Sequence, residues 1–236
     1  MILQEMISKH ILGTFDEALG TLRRNVLMMS SLTTRSLDNS LNGLFQRDDD
    51  ACATAIADDE EIDQLEKQVD KDGIDLLLRF QPVASDLRRV VSAMKLCSNL
   101  ERMGDQAVNI ARKARKLNQH PALPEVGLIE PMRAHAMKMF QDSVEAYVNE
   151  NVALARGLKM RDKTLDEMNA NVSRRLTECM AQDPDQLRGY LNLMFIARHL
   201  ERVGDHATNI AEDTVFVAVA EDIRHQGAEP AAESTG

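Results

Sequence analysis

Leu100-Glu101-Arg102-Met103-Gly104-Asp105-Gln106-Ala107-Val108-Asn109-Ile110-Ala111 returns one hundred positions later as Leu200-Glu201-Arg202-Val203-Gly204-Asp205-His206-Ala207-Thr208-Asn209-Ile210-Ala211, with nine of the twelve residues unchanged. The register extends upstream. Leu87-Arg88 matches Leu187-Arg188, Met94 matches Met194, and Ile62-Asp63-Gln64-Leu65 resembles Leu165-Asp166-Glu167-Met168. A period of this length exceeds the roughly 20–50 residues of solenoid repeats. It is the length of a small domain, so the chain reads as a duplicated unit.

Working outward from the repeat, each half shows the same order of elements. Apolar residues at helical spacing run from Phe15 to about Gln46, through Leu19, Leu22, Val26, Met29, Leu32, Leu37, Leu41 and Leu44, after a weakly patterned lead-in over 1–12. Asp48 opens a second helix that reaches Phe80, with acidic residues in its first turn where the helix dipole favours them. Pro82 ends that helix and permits another, which carries Leu87, Val91, Met94, Leu100, Met103, Ala107 and Ile110 to about Asn118. That third helix spans roughly 55 Å at 1.5 Å per residue, and such a length needs the extended partner surface of a bundle. The cluster Pro121, Pro124 and Gly127 marks a linker. The order then repeats with helices over about 128–158, 161–182 and 185–222, and Asp183-Pro184 breaks the chain as Gln81-Pro82 does. The spacing therefore predicts an all-α fold of two tandem, pseudo-symmetric three-helix bundles with six long helices. The expected units are 1–118, a linker over 119–127, 128–225, and a small, polar, disordered tail over 226–236.

Composition agrees. Of 236 residues, 44% are apolar but only 3% aromatic, with thirteen Met and no Trp, a palette suited to helices. Six Pro and eleven Gly are few for the turns of an all-β fold. The balance of 28 basic against 38 acidic residues, net −10, argues against a nonspecific nucleic-acid binder. Cys52, Cys97 and Cys179 have no CxxC spacing and read as reduced core thiols of a cytoplasmic protein. The opening MILQEMISKHIL lacks a signal-peptide pattern, and no stretch approaches a membrane span, so a membrane role is expected only peripherally, through partners.

The chemistry lies beside the core. On a wheel of about 100° per residue, Leu96, Leu100, Met103, Ala107 and Ile110 share one face, and Glu101 and Asp105 stack one turn apart on a neighbouring one. Gly104 lies between, at a cost of about 1 kcal/mol relative to Ala that a close neighbouring helix would repay. The sixth helix repeats this with Glu201, Gly204 and Asp205. The second helix has an acidic face of Asp59, Asp63, Glu66 and Asp70; the fifth has Asp162 and Asp166, followed by Asn169 and Ser173. If the paired helices are antiparallel neighbours, Asp59, Asp63, Glu101 and Asp105 converge in one half and Asp162, Asp166, Glu201 and Asp205 in the other. Hard oxygen clusters of this kind suit Mg, Mn, Fe or Ca. Against this, acidic residues four apart on a helix are usually a solvated face, and a duplication passes any spacing on passively. Arg102 is expected to pair with Asp105 at i,i+3, with phosphate recognition by Arg102 and Arg202 as the alternative. The run Arg112, Lys113, Arg115, Lys116 reads first as a solvated helix end and second as a lipid or partner contact. His206 has no counterpart in the first half, and the Met residues read as core filler. A glycine-rich phosphate loop, G-x-S-x-G, HExxH and the Glu-x-x-His pair of di-iron oxidases are all missing, so no enzyme activity and no catalytic residue is expected.

The twice-present Glu-Arg-x-Gly-Asp-x-Ala-x-Asn-Ile-Ala resembles the signature of PhoU proteins. So do Gln81-Pro82-Val83-Ala84-Ser85-Asp86-Leu87-Arg88, His10-Ile11-x-x-x-Phe15, and Asp222-Ile223-Arg224-His225. The resemblance spans about residues 10–225. It implies a cytoplasmic negative regulator of phosphate uptake and of the phosphate-starvation response. Such a protein acts with the ATPase of the high-affinity phosphate ABC transporter and with the sensor histidine kinase, often as a homodimer. It also implies metal sites, for Fe, Mn, Mg or Zn, at Asp59, Asp63, Glu101, Asp105, Asp162, Asp166, Glu201 and Asp205. A metal-buffering bundle without a regulatory role and a metal-dependent phosphatase stand as alternatives.

Overall fold

Helix boundaries in the computed structural model, which describes residues 2–224 (side chains from 13), follow local chain chemistry. Six long helices are present, with no strand among the described residues: α1 Ile2–Phe45, α2 Asp49–Phe80, α3 Ala84–Asn118, α4 Glu130–Val148, α5 Val152–Gln182 and α6 Leu187–Val219. Asp48 caps α2, its carboxylate accepting from the backbone N–H of Asp50 and Ala51. Pro82 and Pro184 follow the ends of α2 and α5. Arg47, Gln81, Glu150 and Ala220, all at helix junctions, take the left-handed conformation. Arg47 is held there by donating to the carbonyls of Asn118 and His120.

Four expectations need correction. The first helix begins well before Phe15: α1 is helical from Ile2 through the weakly patterned lead-in, which no proline interrupts. The expected 128–158 helix is divided among three elements: the end of a 3₁₀ turn at Pro124–Ile129, then α4, which stops at Val148, and then the first turns of α5 from Val152. The cause is Asn149-Glu150-Asn151. Glu150 turns left-handed and the Asn151 side chain accepts from Leu154 N–H to start α5 early. Leu87 is exposed rather than core, because it falls nearly opposite Leu96 and Leu100 around α3. Met28 and Met160 are exposed, whereas Met29, Met103, Met132 and Met139 are fully buried. His225 and the expected tail lie outside the described residues.

In the first bundle α1 runs antiparallel to α2, as contacts from Ser36 to the Ala55 carbonyl and from Arg35 to Asp58 show. The predicted core stripe of α3 is buried throughout, with Leu96, Leu100, Met103, Ala107 and Ile110 at most 1% exposed. The three cysteines are buried free thiols. In the second bundle Asp142 of α4 is bound by both Lys138 and Arg161. Burial pushes the Asp142 carboxyl up, and the hydrogen bonds from those two cations outweigh it, holding the pKa below the usual range. The bundles meet where α3 packs antiparallel on α6. This seam is polar. Lys95 bonds Asp213 at 2.9 Å, His199 bonds Gln106 at 2.8 Å, and His206 bonds Asn99 at 3.2 Å.

Candidate functional site

Two helix pairs, α2 with α3 and α5 with α6, carry the candidate carboxylates, and glycine sets their approach. A Cβ on Gly104 would stand 3.1 Å from Ile62 Cδ1 and 3.9 Å from Asp59 Oδ1. On Gly204 it would stand 2.4 Å from Leu165 Cδ2 and 3.4 Å from Asp162 Oδ1. The missing side chain thus lets the acidic turn of α2 or α5 rest against the helix that bears the Glu-Arg-x-Gly-Asp motif.

Electrostatics report the neighbourhood. Burial pushes Glu101 up to about 7, helped by repulsion from Asp105, Glu66 and Asp63 and opposed by Arg102. Asp59 is raised by burial and by Asp63 and Asp105, against Arg112. Glu66, on the acidic stripe but outside the expected four, is raised by burial and then by Asp70 and Asp63. Its place three residues after Asp63 was the available signal. In the second pair, burial with Asp205, Asp166 and Glu201 pushes Asp162 up to about 6. The Thr208 hydroxyl opposes that rise, yet neither Thr208 Oγ1 nor Asp162 Oδ1 completes a hydrogen bond, and both are buried, as is the unpaired Oδ1 of Asn169. Glu201 and Asp205 are raised as well, by burial first and by neighbouring carboxylates second.

All eight expected residues therefore face one of two acidic clusters. The donor set is oxygen only, as hard cations require, and the orphaned Asp162 oxygen with its raised pKa is the kind of group a cation would satisfy. The side chains stand apart, however: among the described residues no three of Asp, Glu, His or Cys are grouped so as to hold an ion. The expected Arg102–Asp105 pair does not form, and Arg202 likewise makes no ion pair among the described residues. His199 and His206 serve the seam. Burial and nearby arginines hold both near pKa 4, so they are neutral at pH 7.

Comparison with known proteins follows the same duplication. The PhoU domain matches twice, over residues 26–114 and 129–214. The chain belongs to the PhoU family. It is 33% identical over 229 residues to the Pseudomonas aeruginosa phosphate-specific transport system accessory protein PhoU homolog, covering 96% of this chain and 94% of that one. The crystal structure of PhoU from Pseudomonas aeruginosa superposes with a TM-score of 0.85 at 31% identity, covering 88% of this chain and all of that one. The phosphate transport system regulatory protein PhoU from Streptococcus pneumoniae gives 0.80 at 27% identity, covering 89% and 99%. PhoU structures thus share the paired-bundle fold in which the two motif copies sit.

Proposed function

We propose that this protein is a negative regulator of phosphate uptake and of the phosphate-starvation response. It acts as a helical adaptor on the ATPase of the phosphate ABC transporter and on the phosphate sensor histidine kinase. The observation that carries this reading is similarity along nearly the whole chain to relatives named as accessory proteins of phosphate-specific transport. No described helix is long and apolar enough to cross a membrane. An adaptor of these two partners works at the cytoplasmic side of the membrane, and the reading includes a homodimer and no catalysis of its own.

The reading also assigns metal to the two carboxylate clusters. Asp59, Asp63, Glu101 and Asp105 would hold one site and Asp162, Asp166, Glu201 and Asp205 the other, with Fe, Mn, Mg or Zn as candidates. A bound cation supplies positive charge that relieves the mutual repulsion of these groups. The chain's own contribution is to hold the carboxylates at the edge of the core, beside Gly104 and Gly204.

The test is a reporter of phosphate-starvation genes in a deletion strain. Expression in high phosphate supports the regulatory reading; a silent reporter with unchanged phosphate uptake overturns it. Repeating the assay with Glu101→Gln/Asp105→Asn separates regulation from metal binding. Full repression by a variant that no longer binds metal would make the first site dispensable for control.

A further inference from the structure

The duplication provides an internal control for surface charge, because positions one hundred apart occupy equivalent places along the α3–α6 seam. At one end, Lys95 is paired with Asp213 and Arg224 with Asp222, and Arg224 also feels the charges of Asp213 and Glu212, so charge is balanced. At the other end the equivalent positions are inverted. Lys113 stands where the repeat has Asp213, Arg112 where it has Glu212, Arg198 where it has Ser98, and Phe195 where it has Lys95. Lys113 lies over the Phe195 ring at 4.4 Å. Lys113, Arg198 and Arg202 all act on His199 between them. None of the three has an ion-pair partner among the described residues.

These cations continue an apolar ridge. Leu187, Leu191, Phe195, Arg198 and Arg202 follow at steps of four, four, three and four, which is one stripe of α6. The three apolar members are 43%, 40% and 46% exposed, although Leu193, Ile196 and Leu200 of the same helix are fully buried. A stripe of about 22 Å at 1.5 Å per residue, apolar at one end and cationic at the other, is the pattern of a surface that receives a helical segment. The anchors are spaced i, i+4, i+8, and an aromatic and arginines are the side chains that dominate such contacts.

We propose that this ridge of α6, with Lys113 beside it, is the docking surface for an acidic, amphipathic segment of a partner protein. The occupant presents apolar side chains to Leu187, Leu191 and Phe195 and carboxylates to Lys113, Arg198 and Arg202. Charge complementarity selects that occupant. The chain's net charge of −10 disfavours nucleic acid. A broad anionic membrane surface would bring its headgroups against Glu201 and Asp205, which lie on the same helix beside the ridge, whereas a narrow segment keeps to the cations. The proposal rests on the regulatory reading only for who the partner is: the transporter ATPase or the sensor kinase.

Photo-crosslinking in phosphate-replete cells tests it. Benzoylphenylalanine replaces Leu191, or Val91 at the equivalent place in the first half, and adducts are mapped by mass spectrometry. The expected result is an adduct at Leu191, absent at Val91, to an acidic amphipathic segment of the transporter ATPase or the kinase. Arg198→Glu or Lys113→Glu should reduce it at least tenfold, while an unchanged melting curve shows the variants folded. The same charge-sensitive adduct to a mapped acidic segment of another protein supports the surface and corrects only the partner. Absence of an adduct, equal yield at Val91, insensitivity to Arg198→Glu, or an adduct to lipid or to a second copy of this chain overturns the proposal. A silent starvation reporter in the deletion strain, by contrast, overturns the regulatory reading and leaves this result standing.

Discussion

The two bundles carry the same Glu-Arg-x-Gly-Asp turn in unequal surroundings. In the first, the carboxylates of α2 continue past Asp63 to Glu66 and Asp70; burial lifts Glu101 to about 7, and Asp105, Glu66 and Asp63 add to the rise. In the second, Asn169 and Ser173 follow Asp166 at the corresponding spacing. Burial again leads the rise of Asp162 to about 6, with Asp205, Asp166 and Glu201 adding to it, and one of its oxygens is orphaned. Burial and like charge act in both clusters, and the second also holds a buried Asp162 oxygen without a hydrogen bond and replaces two acids of the α2 stripe by Asn169 and Ser173. Glycine packing differs in the same direction, since Gly204 has far less room than Gly104. A duplicated motif thus keeps its backbone device while its electrostatics drift.

The largest effect that can break this comparison is metal. If both clusters bind, adding metal at one hundred times the dissociation constant stabilises each site by about 2.7 kcal/mol, roughly 5–10 °C in Tm, and chelator reverses it. Glu101→Gln/Asp105→Asn should remove the first site's share and Asp162→Asn/Asp205→Asn the second's. Calorimetry with Mg, Mn, Fe and Zn checks this; a wild-type Tm indifferent to all four sinks the metal assignment.

Ion pairing on the outer helices comes next. Arg35→Ala leaves Asp58, 9% exposed at its side chain, without its cation, whereas Arg161→Ala leaves Asp142 still bonded to Lys138. We expect a loss of about 2 kcal/mol for the former and about half that for the latter, by urea denaturation. Equal losses would show that Lys138 contributes nothing.

The glycines follow. An added methyl at Gly204 meets Leu165 at 2.4 Å, and overpacking of this kind costs about 1–3 kcal/mol, against about 1 kcal/mol gained in helix propensity. At Gly104 the contact with the end of Ile62 is 3.1 Å, so gain and cost nearly cancel. Gly204→Ala should therefore melt below Gly104→Ala. The reverse order would mean that α5 yields more easily than α2.

The smallest effect is in pH. A carboxyl whose folded pKa is raised adds stability below its unfolded pKa, and that stability is lost as pH rises through the folded value. In chelator, the Glu101 contribution is lost between about 4 and 7, and the Asp162 contribution between about 4 and 6. His199 and His206, depressed to about 4, act oppositely, losing stability as pH falls below about 6.5. Glu101→Gln should therefore raise the metal-free Tm by a degree or two at pH 7.5 and by clearly less at pH 5.5, where part of the Glu101 contribution is still present. A gain of equal size at both pH values would place the benefit outside Glu101 titration.

Much of the fold was legible because its signals are local or periodic. The α3 core stripe, the Asp48 cap and the proline-marked junctions need no knowledge of neighbours, and Gly104 and Gly204 announced close helix approach by their cost. The errors came where a pattern continued past its physical limit. Apolar spacing ran on through Asn149-Glu150-Asn151, where side-chain capping starts a new helix. Leu87 seemed one more periodic apolar residue until its angle around α3 placed it outside. Glu66 was visible on the acidic stripe, but its action on Glu101 depends on the stagger between α2 and α3.

By itself the sequence determined an all-α duplicated architecture and which carboxylates share a helix face, because a repeat of nine residues in twelve and a 3.6-residue period are properties of one chain direction. Tertiary structure alone decided which helices face one another, and with it the orphaned oxygen of Asp162 and the neutral histidines of the seam. It also decided the opposition of Lys95 to Asp213 at one end and of Lys113 to Phe195 at the other. Burial and pairing are relations between segments far apart in sequence, and they exist only once α3 has met α6.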